Sequence, residues 1–327
     1  MKRREFIAAL GGAAAMWPVA ARGQQATMPV IGFLGATSPG PYAAIVDAVR
    51  QGLKESGYVE GQNLAIEFRW ANNQLDRLPA LAADLVNRNV AAIVTSGSVP
   101  PALAAKAATS TIPIVFHTGA DPVATGLVDS LNRPGGNVTG VSFLTVASAS
   151  KRLGLLRDLA PAATVIGLLV NPTDPGAETA IKELEALARS QGLTLHVVRA
   201  NSEREIDDAF TTLAQRAVGA LLVNTEPFFR TRMNQIVALA ARHAMADMYP
   251  GRDYAVSGGL MGYGASITEA YRLQGVYAGR ILKGEKPANL PVMQSTKFEF
   301  TLNLKTARIL GLSPSPQLLA IADEVIE

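Results

Sequence analysis

Apolar positions along this chain switch repeatedly between short continuous runs and a spacing of about 3.6. Residues 28–34 form a β-branched-rich run with the pattern of a strand, turn residues follow at 35–41, and residues 42–57 place Ile45, Val46, Val49 and Leu53 on one helical face. A second strand is predicted at 64–68. Leu75, Leu78, Leu81, Leu85 and Val86 stripe the next helix, and residues 90–95 and 112–116 are short strands on either side of the alanine-rich segment 101–108. These strands do not alternate polar with apolar, so both faces are buried, which is the condition of a parallel sheet covered by helices.

The turn-rich Asn132-Arg-Pro-Gly-Gly-Asn breaks the pattern, an extended run restarts at 138–143, and a second series begins. It reads helix 147–159, strand 165–170, helix 175–191, strand 193–198, helix 202–216, strand 219–223 and helix 229–243. The same architecture in a different sequence predicts an α/β fold of two doubly wound parallel-sheet lobes. Gly258, Gly259, Gly262 and Gly264 make the segment 254–264 read as a hinge; it enters a helix at 266–283, and a Pro/Gly connection at 284–292 leads to a strand at 297–302 and terminal helices. Crossings at about 133–145, 251–264 and 284–296 give a multi-strand hinge with a ligand cleft between the lobes. The division is then 28–135 with about 262–286 in the first lobe, and 138–256 with about 292–327 in the second.

Charge changes the picture at the amino terminus. Arg3 and Arg4 precede an apolar stretch at 6–15 and a small-residue segment ending near Gly23, so residues 1–23 have the layout of an export signal of twin-arginine type, too short in its apolar part to span a bilayer. The net charge of +3 is carried entirely by Lys2, Arg3, Arg4 and Arg22 against Glu5, and the remainder is balanced. The pI of about 9.1 therefore does not imply a nucleic-acid partner, and no basic run with interleaved aromatics follows. With no cysteine, the chain can form no disulfide, thiolate nucleophile, cysteine-ligated metal site or lipid-bearing cysteine. A chain that is 48% hydrophobic without a later run of 18 apolar residues is expected to be a periplasmic, soluble, monomeric protein with large cores.

Five segments in order carry a resemblance: Ile31-Gly-Phe-Leu-Gly, Gly57-Tyr-Val-Glu-Gly-Gln-Asn, Arg133-Pro-Gly-Gly-Asn-Val-Thr-Gly, Leu169-Val-Asn-Pro and Asn303-Leu-Lys-Thr-Ala-Arg-Ile-Leu-Gly-Leu. The chain resembles the substrate-binding proteins of bacterial ABC transporters, in the branch of type I periplasmic-binding-protein topology that includes tryptophan- and other aromatic-amino-acid-binding members. The resemblance implies capture of a small molecule by closure of two lobes, delivery to a membrane permease of an ABC importer, and no catalysis or cofactor.

In open α/β sheets ligands sit beyond the carboxyl ends of strands, which selects the candidate binding residues. From the first lobe these are Thr37, Ser38, Tyr42, Ser96, Gly97, Ser98, His117 and Asp121, with Thr145 at the crossing; from the second they are Asn171, Asp174, Asn224, Glu226, Phe228 and Tyr249, with Tyr263 in the glycine-rich segment. Ser38 and Ser98 with nearby amides suit a carboxylate, Glu226 and Asp121 an ammonium, and Tyr42, Phe228 and Tyr263 an apolar or aromatic body. The bland readings are equally concrete: Ser38, Ser98 and Asp174 as helix caps, Asp121-Pro122 as a turn, His117 as a structural histidine.

Enzymatic motifs are missing. Gly32 to Gly35 lacks the full dinucleotide fingerprint, no H-E-x-x-H or G-x-S-x-G occurs, and His117, His196 and His243 have no metal-ligand spacing. The ligand class favoured is an amino acid or other small carboxylate, aromatic ones included. A periplasmic ligand-sensing protein with the same cleft is the alternative, and an exported hydrolase ranks below it.

Overall fold

Two sheets organise the chain. In the first, β1 (Val30–Gly35), β2 (Ala65–Trp70), β3 (Ala92–Ser96), β4 (Ile114–Thr118), β5 (Val138–Ser142) and β11 (Met293–Gln294) run in the order β11-β5-β4-β3-β1-β2, every neighbouring pair parallel. The second contains β6 (Val165–Val170), β7 (Thr194–Arg199), β8 (Ala220–Val223), β9 (Ala246–Tyr249), β10 (Met261–Ala265), β12 (Phe298–Asn303) and β13 (Glu324–Ile326) in the order β13-β12-β10-β9-β8-β6-β7. Only the β10–β12 pair is antiparallel there. This computed structural model describes residues 28–143, 145–174, 176–295 and 297–327, without the side chains of 145–147. The export signal and the Thr145 side chain lie outside the described residues.

The unbroken apolar runs are explained by the two cores of each sheet. Ile31 and Phe33 enter the cluster on one face of the first sheet and Leu34 the cluster on the other. In the second sheet Ile166, Leu168 and Val170 feed one core while Leu169 feeds the opposite one. Successive side chains point to opposite faces, so a strand sandwiched between helices must be apolar at every position. The helices follow the predicted stripes, with Ile45, Val46, Val49 and Leu53 buried along Ala43–Glu55. The stretch expected as one helix at 229–243 is two, Pro227–Thr231 and Met233–Arg242, separated at Arg232 (φ −111°, ψ 15°).

The lobe boundaries differ from those expected at three places. Strand β5 belongs to the first sheet, because Val138 to Ser142 pair in parallel with Ile114 to Thr118; the Pro-Gly-Gly break only turns the chain into that strand. The Asn137 side chain secures the turn by donating to the carbonyls of Thr109 (3.1 Å) and Ile112 (2.7 Å). Strand β10 belongs to the second sheet, so the glycine-rich segment is not the crossing. Gly262 and Gly264 instead allow the backbone at 250–251 to lie directly on β10, where a Cβ at either position would overlap the carbonyl oxygen of Gly251 or Pro250. Lastly, β11 still pairs with β5, and the chain rejoins the second sheet only at β12. The polypeptide thus passes between sheets after Phe143, after Ala265 and after Ser295.

Within the described residues, no helix is long and apolar enough to cross a membrane. The helix that returns to the first lobe, Ile267–Leu282, is locked onto Ala43–Glu55 by glycines on both sides: a Cβ on Gly52 would meet the Arg272 carbonyl and one on Gly275 the Val49 carbonyl.

Candidate functional site

Beyond the carboxyl ends of both sheets lies a cavity with ≈ 490 Å³ of empty space, its open mouth included. Tyr42, Ile45, Gly97, His117, Phe143, Ile267 and Tyr271 line it from the first lobe, and Thr225, Glu226, Pro227, Arg230, Pro250, Gly251 and Tyr254 from the second. The lobes nearly touch: a Cβ on Gly97 would stand 3.8 Å from that of Pro227.

The first-lobe wall is aromatic, and its placement follows from how β3 and β4 diverge. These strands pair only at Ile93–Ile114 and Val94–Val115. Past that point the buried Gln274 amide reaches in from Ile267–Leu282 and donates to the carbonyls of Thr95 and Val115, both at 2.8 Å. One turn earlier on the same helix, the Tyr271 hydroxyl lies 3.1 Å from Ser96 Oγ and accepts from the Gly97 N–H at 3.1 Å. Gly97 has φ +107°, a conformation that favours glycine and turns its amide toward that hydroxyl. The Tyr271 ring stacks on His117 at 4.1 Å between centroids, and Phe143 packs against His117 at 4.9 Å. Burial, with the Arg230 charge nearby, holds the His117 pKa down to about 3, so its imidazole is neutral.

The second-lobe wall is polar. Glu226 caps Pro227–Thr231, accepting from the Phe228 N–H at 2.6 Å, and Arg230 follows one turn later. Arg230 Nη2 pairs with Asp253 at 2.7 Å, which fixes the guanidinium. Burial raises the Glu226 pKa to about 7; hydrogen bonds from Asn171 and from the backbone oppose that shift, and nearby Asp174 adds to it. Asp174 is itself raised by burial. Behind Thr225 the fully buried Arg152 donates Nη1 to the Val223 carbonyl at 2.7 Å and Nη2 to Thr225 Oγ1 at 3.3 Å, tying helix Thr145–Leu159 to the end of β8. Burial lowers its pKa only to about 10, so a cation stays beneath this wall.

Four of the residues selected from sequence meet in the cavity: Tyr42, Gly97, His117 and Glu226. Ser96 stands one hydrogen bond behind it, through Tyr271. Thr37 is buried at the end of β1, and Ser38 and Ser98 are half-buried outside the lining, Ser98 at a helix start without capping it. Asp121 is exposed and accepts from Val123 and Ala124, the turn role its Asp-Pro pair also fits. Asn171 and Asp174 accept from Thr173 and Gly176 in the loop after β6, and Asn224 is buried after β8. Phe228 packs in the second-lobe core. Tyr249 stacks on Tyr254 at 4.6 Å and donates to Asp247 at 3.0 Å. Tyr263 stacks on Phe298 across β10 and β12. The residues missed, Phe143, Arg230, Tyr254 and Tyr271 above all, sit within helices or at crossings; Arg230, one turn beyond Glu226 on a helix opening with Pro227, had a periodic signal.

A cleft between two linked α/β lobes, aromatic on one side and charged on the other, defines a two-lobed small-molecule-binding protein. The sequence profile of ABC transporter substrate-binding proteins matches residues 34–326, and the chain belongs to that family. Such proteins bind small ligands and work with ABC transporter permeases. The chain is 27% identical over 260 residues to a tyrosine-binding protein of Clostridioides difficile (strain R20291), covering 80% of this chain and 74% of the relative. It is similar to a Streptococcus pneumonia ABC domain in complex with L-Trp (TM-score 0.82, 27% identity, 91% of this chain and 99% of the other). A ligand-free, open structure of a Clostridium difficile substrate-binding protein with adhesive properties gives a TM-score of 0.66 at 26% identity, again with 91% and 99% covered.

Proposed function

We propose that this protein is the periplasmic binding component of an ABC importer for an aromatic amino acid, which it captures by closure of its lobes. The observation that carries the reading is the opposition of Glu226 and Arg230, one helical turn apart on the second lobe, to the Tyr42, His117, Phe143 and Tyr271 wall of the first. Arg230 receives the carboxylate, Glu226 the ammonium, and the ring lies against the aromatic wall. This replaces the serine hydroxyls as carboxylate partners with a guanidinium. The better match to the L-Trp complex than to the open relative, at nearly equal identity, supports a closed arrangement of the lobes here. Isothermal titration with L-Trp, L-Tyr and L-Phe tests the reading, and binding of none of them refutes it.

Glu226 makes that binding pH-dependent. Its carboxyl holds a proton up to about pH 7, and an ammonium ligand favours the ionised form, so binding below that pH must release the proton. Affinity is expected to rise roughly tenfold per unit toward pH 7 and to level off above it. The neutral His117 does not titrate in this window. Glu226→Gln should bind about ten- to a hundredfold more weakly at pH 8 and lose the pH slope. A slope that persists in Glu226→Gln would remove Glu226 from the site.

Export follows from residues 1–23. Amino-terminal sequencing of periplasmic material should find cleavage near Gly23, and a full-length chain starting at Met1 and held in the cytoplasm would refute export.

A further inference from the structure

His117 is 3% exposed, lines the cleft, and has no hydrogen-bond partner at either ring nitrogen among the described residues. On the opposite lobe, the hydroxyl of Tyr254, 1% exposed and lining the same cavity, also has none. Buried polar groups without partners are costly, and here two of them, one from each lobe, border the space a ligand would fill. We propose that His117 is the specificity-determining residue of this cleft, selecting aromatic ligands whose ring bears a hydrogen-bonding group, a hydroxyl or a ring N–H, over those with a bare ring. The inference rests on the aromatic-amino-acid reading above and adds to it which rings are taken.

A neutral imidazole offers one N–H donor and one lone-pair acceptor, so its demands differ from those of an imidazolium. A phenol hydroxyl satisfies either nitrogen, since it donates and accepts, and can accept from Tyr254 as well. An indole N–H satisfies only the acceptor nitrogen. A phenyl ring satisfies neither and would leave His117 and Tyr254 buried and unpaired. Sites built to pair a ligand O–H or N–H reject the analogue lacking it far more strongly than an apolar pocket rejects a missing methylene. The ring contacts with Tyr271 and Phe143 hold the imidazole in the wall.

Titration of the whole protein with L-Tyr, L-Trp and L-Phe, followed by the same series on His117→Phe, decides the matter. The wild type should bind L-Phe about tenfold or more below the better of the other two. His117→Phe keeps an aromatic ring against Tyr271 and Phe143, and should lose that preference, its L-Tyr and L-Trp affinities falling toward that for L-Phe. Equal wild-type affinity for all three overturns the proposal, as does a uniform loss in His117→Phe, which would place His117 at the amino-acid end common to every ligand. If that variant fails to fold, His117→Leu takes its place, and a folded variant of either kind that keeps the wild-type preference overturns the assignment to His117. Binding of none of the three fails the underlying reading itself, an outcome distinct from binding without discrimination.

Discussion

Replacing Arg230 by methionine is expected to weaken binding of an aromatic amino acid by about a hundredfold or more, with the fold intact. Truncating one partner of a desolvated charge-assisted pair costs roughly 2–5 kcal/mol, and each 1.4 kcal/mol is tenfold in affinity. The substitution also frees Asp253, now 2.7 Å from the guanidinium, whose negative charge would repel the ligand carboxylate. The double variant Arg230→Met with Asp253→Asn separates the two effects. Affinity that remains low in the double variant assigns the loss to the missing cation. Recovery to near wild-type affinity would show that Arg230 only screens Asp253. Isothermal titration beside a thermal melt makes the comparison, and wild-type affinity in the single variant would take Arg230 out of the site.

The second large effect is on stability. Gly275→Ala should destabilise the protein by about 1–3 kcal/mol, because the added methyl overlaps the Val49 carbonyl, part of a rigid helix that cannot move aside alone. The Gly52 side of the same crossing is equally tight, against the Arg272 carbonyl. Relief requires the two helices to separate, and the helix Ile267–Leu282 carries both Gln274, wedged between β3 and β4, and Tyr271 of the cleft wall. Ligand affinity should therefore fall together with the melting temperature. Gly284→Ala serves as a local control of another kind: no atom crowds its Cβ, and any cost arises from its φ of +98° alone. A Gly275→Ala protein with an unchanged melting temperature would show that the helices adjust at no cost.

The cleft was legible where chemistry coincides with strand ends. Tyr42, Gly97 and Glu226 follow β1, β3 and β8, His117 is the penultimate residue of β4, and all four line the cavity, because parallel strands present their carboxyl ends on one edge. Tyr271 was not legible in this way. It lies inside a helix among other buried residues, where a tyrosine reads as core, and only the closeness of that helix to Ser96 and Gly97, some 175 positions earlier, brings its hydroxyl to the site. Phe143 is similar, since it belongs to the cleft only because β5 ends at the crossing.

By itself the sequence determined the kinds of elements and their order, since the switch between continuous apolar runs and a 3.6 period is a local property of neighbouring residues. It also pointed to mostly parallel, doubly covered sheets, because central strands such as β1 and β6, apolar throughout, must bury both faces, whereas the antiparallel β10–β12 pair left no such mark. Which strand joins which sheet was decided only by the tertiary structure. Val138–Ser142 and Met261–Ala265 carry no local mark of their partners; their lobes follow from pairing with β4 and with β9 and β12. The glycines at 262 and 264, which locally suit a hinge, answer instead to a backbone that packs on them from 250–251. Propensity and periodicity act over a few residues, whereas pairing, close approach and the meeting of Glu226 and Arg230 with an aromatic wall are long-range contacts, specified by the packing of the whole chain.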